Sequence, residues 1–127
     1  APSMPVIASM TFEKGKQGYR TFMGVSVKQA VDRLQEAGAD VLGANCGRGP
    51  SEMIEVIAEM RAITNRPLIA EPNAGAPVYK DGGTVYEAGP EEMASAALSL
   101  VKAGANIIGG CCGTTPEHIR RMGEMLE

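Results

Sequence analysis

A repeat within the chain limits what it can fold into. Residues Glu36 to Met60 align without a gap onto Lys102 to Leu126. The shared frame is Ala-Gly-Ala, a short apolar run, Gly, Cys-Gly and then Pro. It matches Ala37, Gly38, Ala39, Gly43, Cys46, Gly47 and Pro50 with Ala103, Gly104, Ala105, Gly109, Cys112, Gly113 and Pro116. Each copy reads as a helix closed by glycine, a buried strand, a turn, and a new helix. Proline suits the first helical position because an N–H there has no partner inside the helix.

Periodicity fills in the remainder. Pro5 to Met10 is the first strand candidate, followed by a polar loop through Gly24. Ser26 with Gln29 three residues on forms a capping box, and Val27, Ala30, Val31, Leu34 and Ala37 recur at helical spacing. Val41 to Asn45 is apolar without alternation, as a strand buried on both faces is. Pro50 opens a second helix, and Leu68 to Glu71 is a third strand running into Pro72-Asn73-Ala74-Gly75. Residues 76–88 form an excursion with a turn at Gly82-Gly83. Gly89-Pro90 starts the third helix, Gly104 ends it, Asn106 to Gly110 is the fourth strand, and Thr115-Pro116 begins the last helix.

The order is βα four times over, an α/β class with parallel strands and right-handed crossovers, in one domain over residues 1–127. A doubly wound sheet and a (β/α)8 TIM-type barrel both satisfy it. A closed barrel takes about 200 to 250 residues, so four units make half of one. Such a half has two unpaired edges and an uncovered inner face. It calls for a second half, a longer parent chain, or an open sheet.

Composition mainly excludes. Hydrophobic residues at 44% and charged residues at 21% describe a globular balance, not disorder. A net charge of -3 argues against nucleic acid or an anionic membrane as partner. Lys14, Lys16 and Arg20 cluster in a glycine-bearing stretch and read as a solvated loop. No apolar run approaches the roughly 18 residues needed to cross a bilayer. Ala1-Pro2-Ser3 lacks the basic and apolar regions of a cleavable leader. Three cysteines without such a leader point to a reducing, cytoplasmic setting and thiol chemistry.

The chemistry gathers at strand ends, where parallel βα folds carry their functional groups. Cys46, Asn73, Cys111 and Cys112 all lie there. Taken singly, a free cysteine is often just a small buried hydrophobe. The repeat, however, sets Cys46 and Cys112 at equivalent ends, from which both face one point. Cys111 ordinarily points away from Cys112, but Gly109, Gly110 and Gly113 free the backbone to turn both sulfurs inward. Three thiolates make a tetrahedral zinc site with one open position, a catalytic arrangement. The Asn73 carboxamide is either a weak fourth ligand or a turn residue. Asn45 is placed to orient a ligand by hydrogen bonding. Three thiolates leave zinc a poor activator of water but keep an added thiol ionised and nucleophilic toward an activated methyl group. His118, the one histidine, reads as a helix-start or surface residue.

Gly109-Gly110-Cys111-Cys112-Gly113-Thr114-Thr115-Pro116-Glu117-His118-Ile119 resembles the zinc signature of the homocysteine S-methyltransferase family. Gly43-Ala44-Asn45-Cys46 is similar to its first ligand motif, and Glu71-Pro72-Asn73-Ala74-Gly75 to the strand-end motif between them. The cobalamin-dependent branch is the nearest in appearance. The resemblance implies a (β/α)8 barrel of which this chain supplies strands five to eight. It implies Zn2+ on Cys46, Cys111 and Cys112, with homocysteine as fourth ligand and methyl acceptor near Asn45 and Asn73. Methylcobalamin, on a separate corrinoid-binding domain or protein, is the implied donor, and methionine the product. A complementing amino-terminal half-barrel, or a second copy of the chain, is the implied partner. Relatives using betaine or S-methylmethionine, and a βα assembly module holding no metal, are the alternatives.

Overall fold

The computed structural model describes residues 4–127. The elements run β1 (Ile7–Met10), β2 (Glu13–Gly15), β3 (Gly18–Arg20), α1 (Val27–Glu36), β4 (Val41–Cys46), α2 (Pro50–Ile63), β5 (Leu68–Pro72), β6 (Pro77–Lys80), β7 (Gly83–Tyr86), α3 (Pro90–Ala103), β8 (Ile107–Ile108) and α4 (Pro116–Leu126). β1, β4, β5 and β8 form one parallel sheet in that spatial order. The expected α/β class with four helices and a parallel sheet is therefore present. Leu42 pairs with Leu68, Ala44 with Ala70, and Cys46 with Pro72, which brings the ends of β4 and β5 level.

Local signals account for the helix starts. Ser26 Oγ accepts the Gln29 N–H at 3.2 Å while Gln29 Oε1 accepts the Ser26 N–H at 3.0 Å, the reciprocal box expected. Pro50, Pro90 and Pro116 each occupy the first turn of their helices. Leu42 and Ala44 of β4 and Leu68 and Ala70 of β5 point to one face of the sheet, against Val27 and Val31 of α1, Ile57 and Met60 of α2, and Leu100 of α3. Each of the Leu, Ile, Val and Met side chains among them contributes about 1.5–3 kcal/mol on burial. A second cluster, including Ala74, Ala88, Met93, Ala97 and Met122, ties α3 and α4 to the strand-end loops.

The opposite face of the sheet is thinly covered. Ile7 on β1 and Ile107 on β8 remain 52% and 41% exposed. Between them Ile69 lies across Gly43, where a Cβ would stand 2.2 Å from Ile69 Cγ2.

One hairpin departs from the sequence reading, and a second fills in the expected excursion. Residues 11–24, expected as loop, contain the antiparallel pair β2 and β3. Its three-residue strands are too short and polar to show alternation. Buried Tyr19 anchors it, donating its hydroxyl to Glu55 Oε2 on α2 at 2.7 Å. The excursion before α3 holds β6 and β7, joined by Asp81 and Gly82 with φ of 48° and 82°. Two successive positive φ values make the turn whose twist matches a hairpin. The fourth strand of the sheet is shorter than expected, because regular pairing stops at Ile108, although the Gly109 and Cys111 N–H groups still donate to the Ala70 and Pro72 carbonyls. Among the described residues no helix is long and apolar enough to cross a membrane.

Candidate metal centre

β4 does not run straight out at its end. Cys46 has φ of 59° and Gly47 φ of 71°, so two consecutive residues adopt the left-handed conformation. For a residue with a Cβ that costs roughly 1–2 kcal/mol. The bend turns the chain toward the loops after β5 and β8. Cys111 and Cys112 lie in a turn beyond β8, where the Cys111 N–H donates to the Pro72 carbonyl at 2.9 Å and the Thr114 N–H to the Cys111 carbonyl at 3.1 Å.

The three sulfurs meet. Cys46 Sγ stands 2.9 Å from Cys111 Sγ, and Cys111 Sγ stands 3.9 Å from Cys112 Sγ. All three lie within 4.8 Å of one another. Sulfurs at ~2.3 Å from a tetrahedral zinc would be ~3.8 Å apart. One separation already has that value, and the shorter pair needs to open by about 1 Å. Three soft donors in such a cluster fit zinc, and they leave a tetrahedral position unused.

The thiols differ in acidity. Cys111 is pushed up to about 11, first by its hydrogen bond with Cys46 and then by burial. Cys112 is drawn below the ordinary thiol value, chiefly by the neighbouring Tyr86 phenol, whose own pKa rises through the same interaction.

Asn73 is buried between the two cysteine loops. Its Nδ2 donates to the Gly47 carbonyl at 2.9 Å and its Oδ1 accepts the Cys112 N–H at 3.0 Å. Both ends of the carboxamide thus engage backbone next to a cysteine, and Asn73 acts here as a strut between the loops. Asn45 looks elsewhere: its Oδ1 accepts from Ser9 Oγ at 2.7 Å and its Nδ2 donates to Thr11 Oγ1 at 3.2 Å. Those bonds tie β4 to β1 and none of them reaches a sulfur.

Sequence reasoning passed over two neighbours of the site. Tyr86, at the end of β7, packs on Gly113, where a Cβ would stand 2.3 Å from Tyr86 Cβ. No local pattern marks that contact, which depends on the hairpin folding back over the Cys112 turn. His118 begins α4 as expected, but it is buried instead of lying at the surface.

A parallel α/β sheet whose strand-end loops gather three thiols defines a small class of candidate metalloproteins. The chain belongs to the homocysteine S-methyltransferase family, whose model matches residues 1–126. It is 35% identical over 120 residues to the methionine synthase of Mycobacterium tuberculosis (strain ATCC 25618 / H37Rv), covering 94% of this chain and 10% of that protein. It is 37% identical over 101 residues to the methionine synthase of Mycobacterium leprae (strain TN), covering 79% of this chain and 8% of that one. The chain thus spans about a tenth of the length of these relatives. Among solved structures, the apo form of the Escherichia coli homocysteine methyltransferase MmuM has a similar fold, with a TM-score of 0.65 at 24% identity over 84% of this chain and 35% of that one. Its metallated form gives 0.61 at 25% identity over 80% and 30%.

Proposed function

We propose that this chain is the zinc-bearing, carboxyl-terminal half of a (β/α)8 barrel in a homocysteine S-methyltransferase. The observation that carries the reading is the convergence of Cys46, Cys111 and Cys112 sulfurs within 4.8 Å in a chain of this family. In this reading the three cysteines hold zinc and leave one position for the sulfur of homocysteine. Bound zinc supplies the positive charge that keeps a thiol ionised at neutral pH. The protein's own part is geometric. Asn73 holds the Gly47 and Cys112 peptides at a fixed distance, and the left-handed bend at Cys46 brings β4 to the same point.

Homocysteine receives a methyl group on sulfur and becomes methionine. The two methionine synthase relatives support that product. Methylcobalamin on a separate corrinoid-binding domain is the donor favoured by the resemblance of Glu71 to Gly75 and of Gly83-Thr84-Val85-Tyr86 to the cobalamin-dependent branch. The half-barrel reading draws on the sheet itself: β1 and β8 are its outer strands, and Ile7 and Ile107 lie exposed on the face that a closed barrel covers. A complementing amino-terminal half then supplies the remaining strands and the grip on the amino acid end of the substrate.

The test is a zinc titration of the reduced chain, followed by methyl transfer to homocysteine after mixing with the complementing half. Zinc at one per chain, retained through dialysis, is expected. Methionine formed from methylcobalamin but not from betaine or S-methylmethionine would assign the donor. A chain that takes up no zinc would refute the metal centre.

A further inference from the structure

His118 plays no part in the reading above, yet it is the chain's one histidine and is only 7% exposed. The Thr115 backbone N–H donates to its Nδ1 at 3.1 Å, and Thr115 Oγ1 stands 2.7 Å from the same nitrogen. A backbone N–H can only donate, so Nδ1 carries a lone pair. The proton of the neutral ring is therefore on Nε2, which lies 2.8 Å from the Ala88 carbonyl and donates to it.

From Ala88 the hydrogen bonds continue to the cysteine turn. The Ala88 N–H donates to the Ala74 carbonyl at 2.9 Å, and the Ala74 N–H donates to the Cys112 carbonyl at 2.9 Å. Asn73, the neighbour of Ala74, takes the Cys112 N–H. The packing along this path is close: a Cβ on Gly75 would stand 3.2 Å from the Ala88 Cβ. The Cys112 peptide is thus held at both its N–H and its carbonyl by residues 73 and 74, and His118 holds the segment on which they rest.

We propose that His118 is a positioning residue for the metal centre, fixing the Cys112 peptide through Ala88 and Ala74. Helix capping alone does not explain it. A capping box needs one acceptor at this position, which glutamine or glutamate ordinarily supplies. Imidazole is the side chain that offers an acceptor toward Thr115 and a donor toward Ala88 in fixed directions at once. This inference rests on the metal-centre reading, and its test separates the two.

Because the chain has a single imidazole, 15N NMR of the metal-free protein reads its tautomer directly, with the proton expected on Nε2. Two variants then isolate the Ala88 bond. His118→Glu keeps an acceptor for the Thr115 N–H, as capping boxes ordinarily do, and as a carboxylate has no proton to give the Ala88 carbonyl. His118→Gln keeps the acceptor and adds an N–H that reaches about as far as Nε2. Cobalt(II) affinity and the sulfur-to-cobalt charge-transfer bands are expected to stay near the parent in His118→Gln. In His118→Glu affinity should fall by about tenfold, at the lower end of losses on removing support around metal ligands, and the bands should shift. Hydrogen exchange of the Ala74 amide, measured without metal, should be faster in His118→Glu than in His118→Gln. A proton on Nδ1, equal Ala74 exchange in the two variants, or parent-like cobalt spectra in both would overturn the proposal. Failure of the parent chain to bind cobalt would instead count against the metal centre. The amide exchange would still decide the role of His118, and a proton on Nδ1 would overturn it even were both variants unfolded.

Discussion

The sulfurs of Cys46 and Cys111 stand 2.9 Å apart although 65 residues separate them in the chain. The ungapped repeat pairs Cys46 with Cys112 instead. The difference comes from backbone conformation. Cys46 bends into the left-handed region, and β8 ends before the cysteines, so strand equivalence no longer dictates which sulfurs touch.

Replacing one member of the cluster tests the shared site. Cys46→Ser is expected to lower zinc affinity by more than about 100-fold, beyond the range for residues that merely support a ligand. Competition with a chromophoric chelator measures it. Affinity equal to the parent would mean that Cys46 is not a ligand.

Asn73→Ala removes a buried strut and leaves the Gly47 carbonyl and Cys112 N–H unpaired. Losing these two part-buried hydrogen bonds costs about 1–3 kcal/mol together. Urea unfolding of the metal-free chain should show that loss at an unchanged m-value. A variant as stable as the parent would show that water takes over both bonds.

Gly113→Ala meets two obstacles. The residue has φ of 80°, and its new Cβ would stand 2.3 Å from Tyr86 Cβ. The backbone part alone is about 1–2 kcal/mol, and the collision adds to it. Tyr86→Gly in the same chain, which removes the Cβ itself, should recover the collision but not the backbone part. A double-mutant cycle on melting midpoints reads this coupling, and strict additivity would refute the contact.

The hairpin of β2 and β3 should loosen in acid. Glu55 receives hydrogen bonds from Lys14 Nζ at 2.8 Å and Tyr19 Oη at 2.7 Å, and its pKa is lowered from 4.5 first by Lys14 and then by Tyr19. A depressed folded-state pKa means stabilisation that is complete above the unfolded value and fades as pH falls through the folded one. The pair with Lys14 is exposed, so the effect is modest. Protection factors of the amides in residues 13–20, which remove the intrinsic pH dependence of exchange, should fall on acidification in the parent and be flat with pH in Glu55→Gln.

Much of this fold is readable from local chemistry. Ser26 with Gln29, and prolines 50, 90 and 116, mark helix starts within a few residues, so their signals survive without knowledge of the tertiary structure. β4 and β5 announce themselves as unbroken apolar runs. The hairpin of β2 and β3 does not, because its strands are polar and the burial of Tyr19 depends on α2, far along the chain. The cysteines stand out through the repeat and their glycine-rich settings. The roles of Asn73, Tyr86 and His118 stay hidden because each is defined by a partner 26 or more residues away. A carboxamide in Pro-Asn-Ala-Gly looks like any turn residue until the two peptides it spans are known.

β8 is only two residues long, and that brevity bears on how the outermost βα unit stays attached. The flanking N–H groups of Asn106, Gly109 and Cys111 donate to the Leu68, Ala70 and Pro72 carbonyls of β5, while α4 packs on α3 through Met122. A metal ion gripping Cys46, Cys111 and Cys112 would rivet this tail to the middle of the sheet. Chelation would then release the chain from its carboxyl end first, and partial proteolysis with and without zinc would show the last unit come away before the rest.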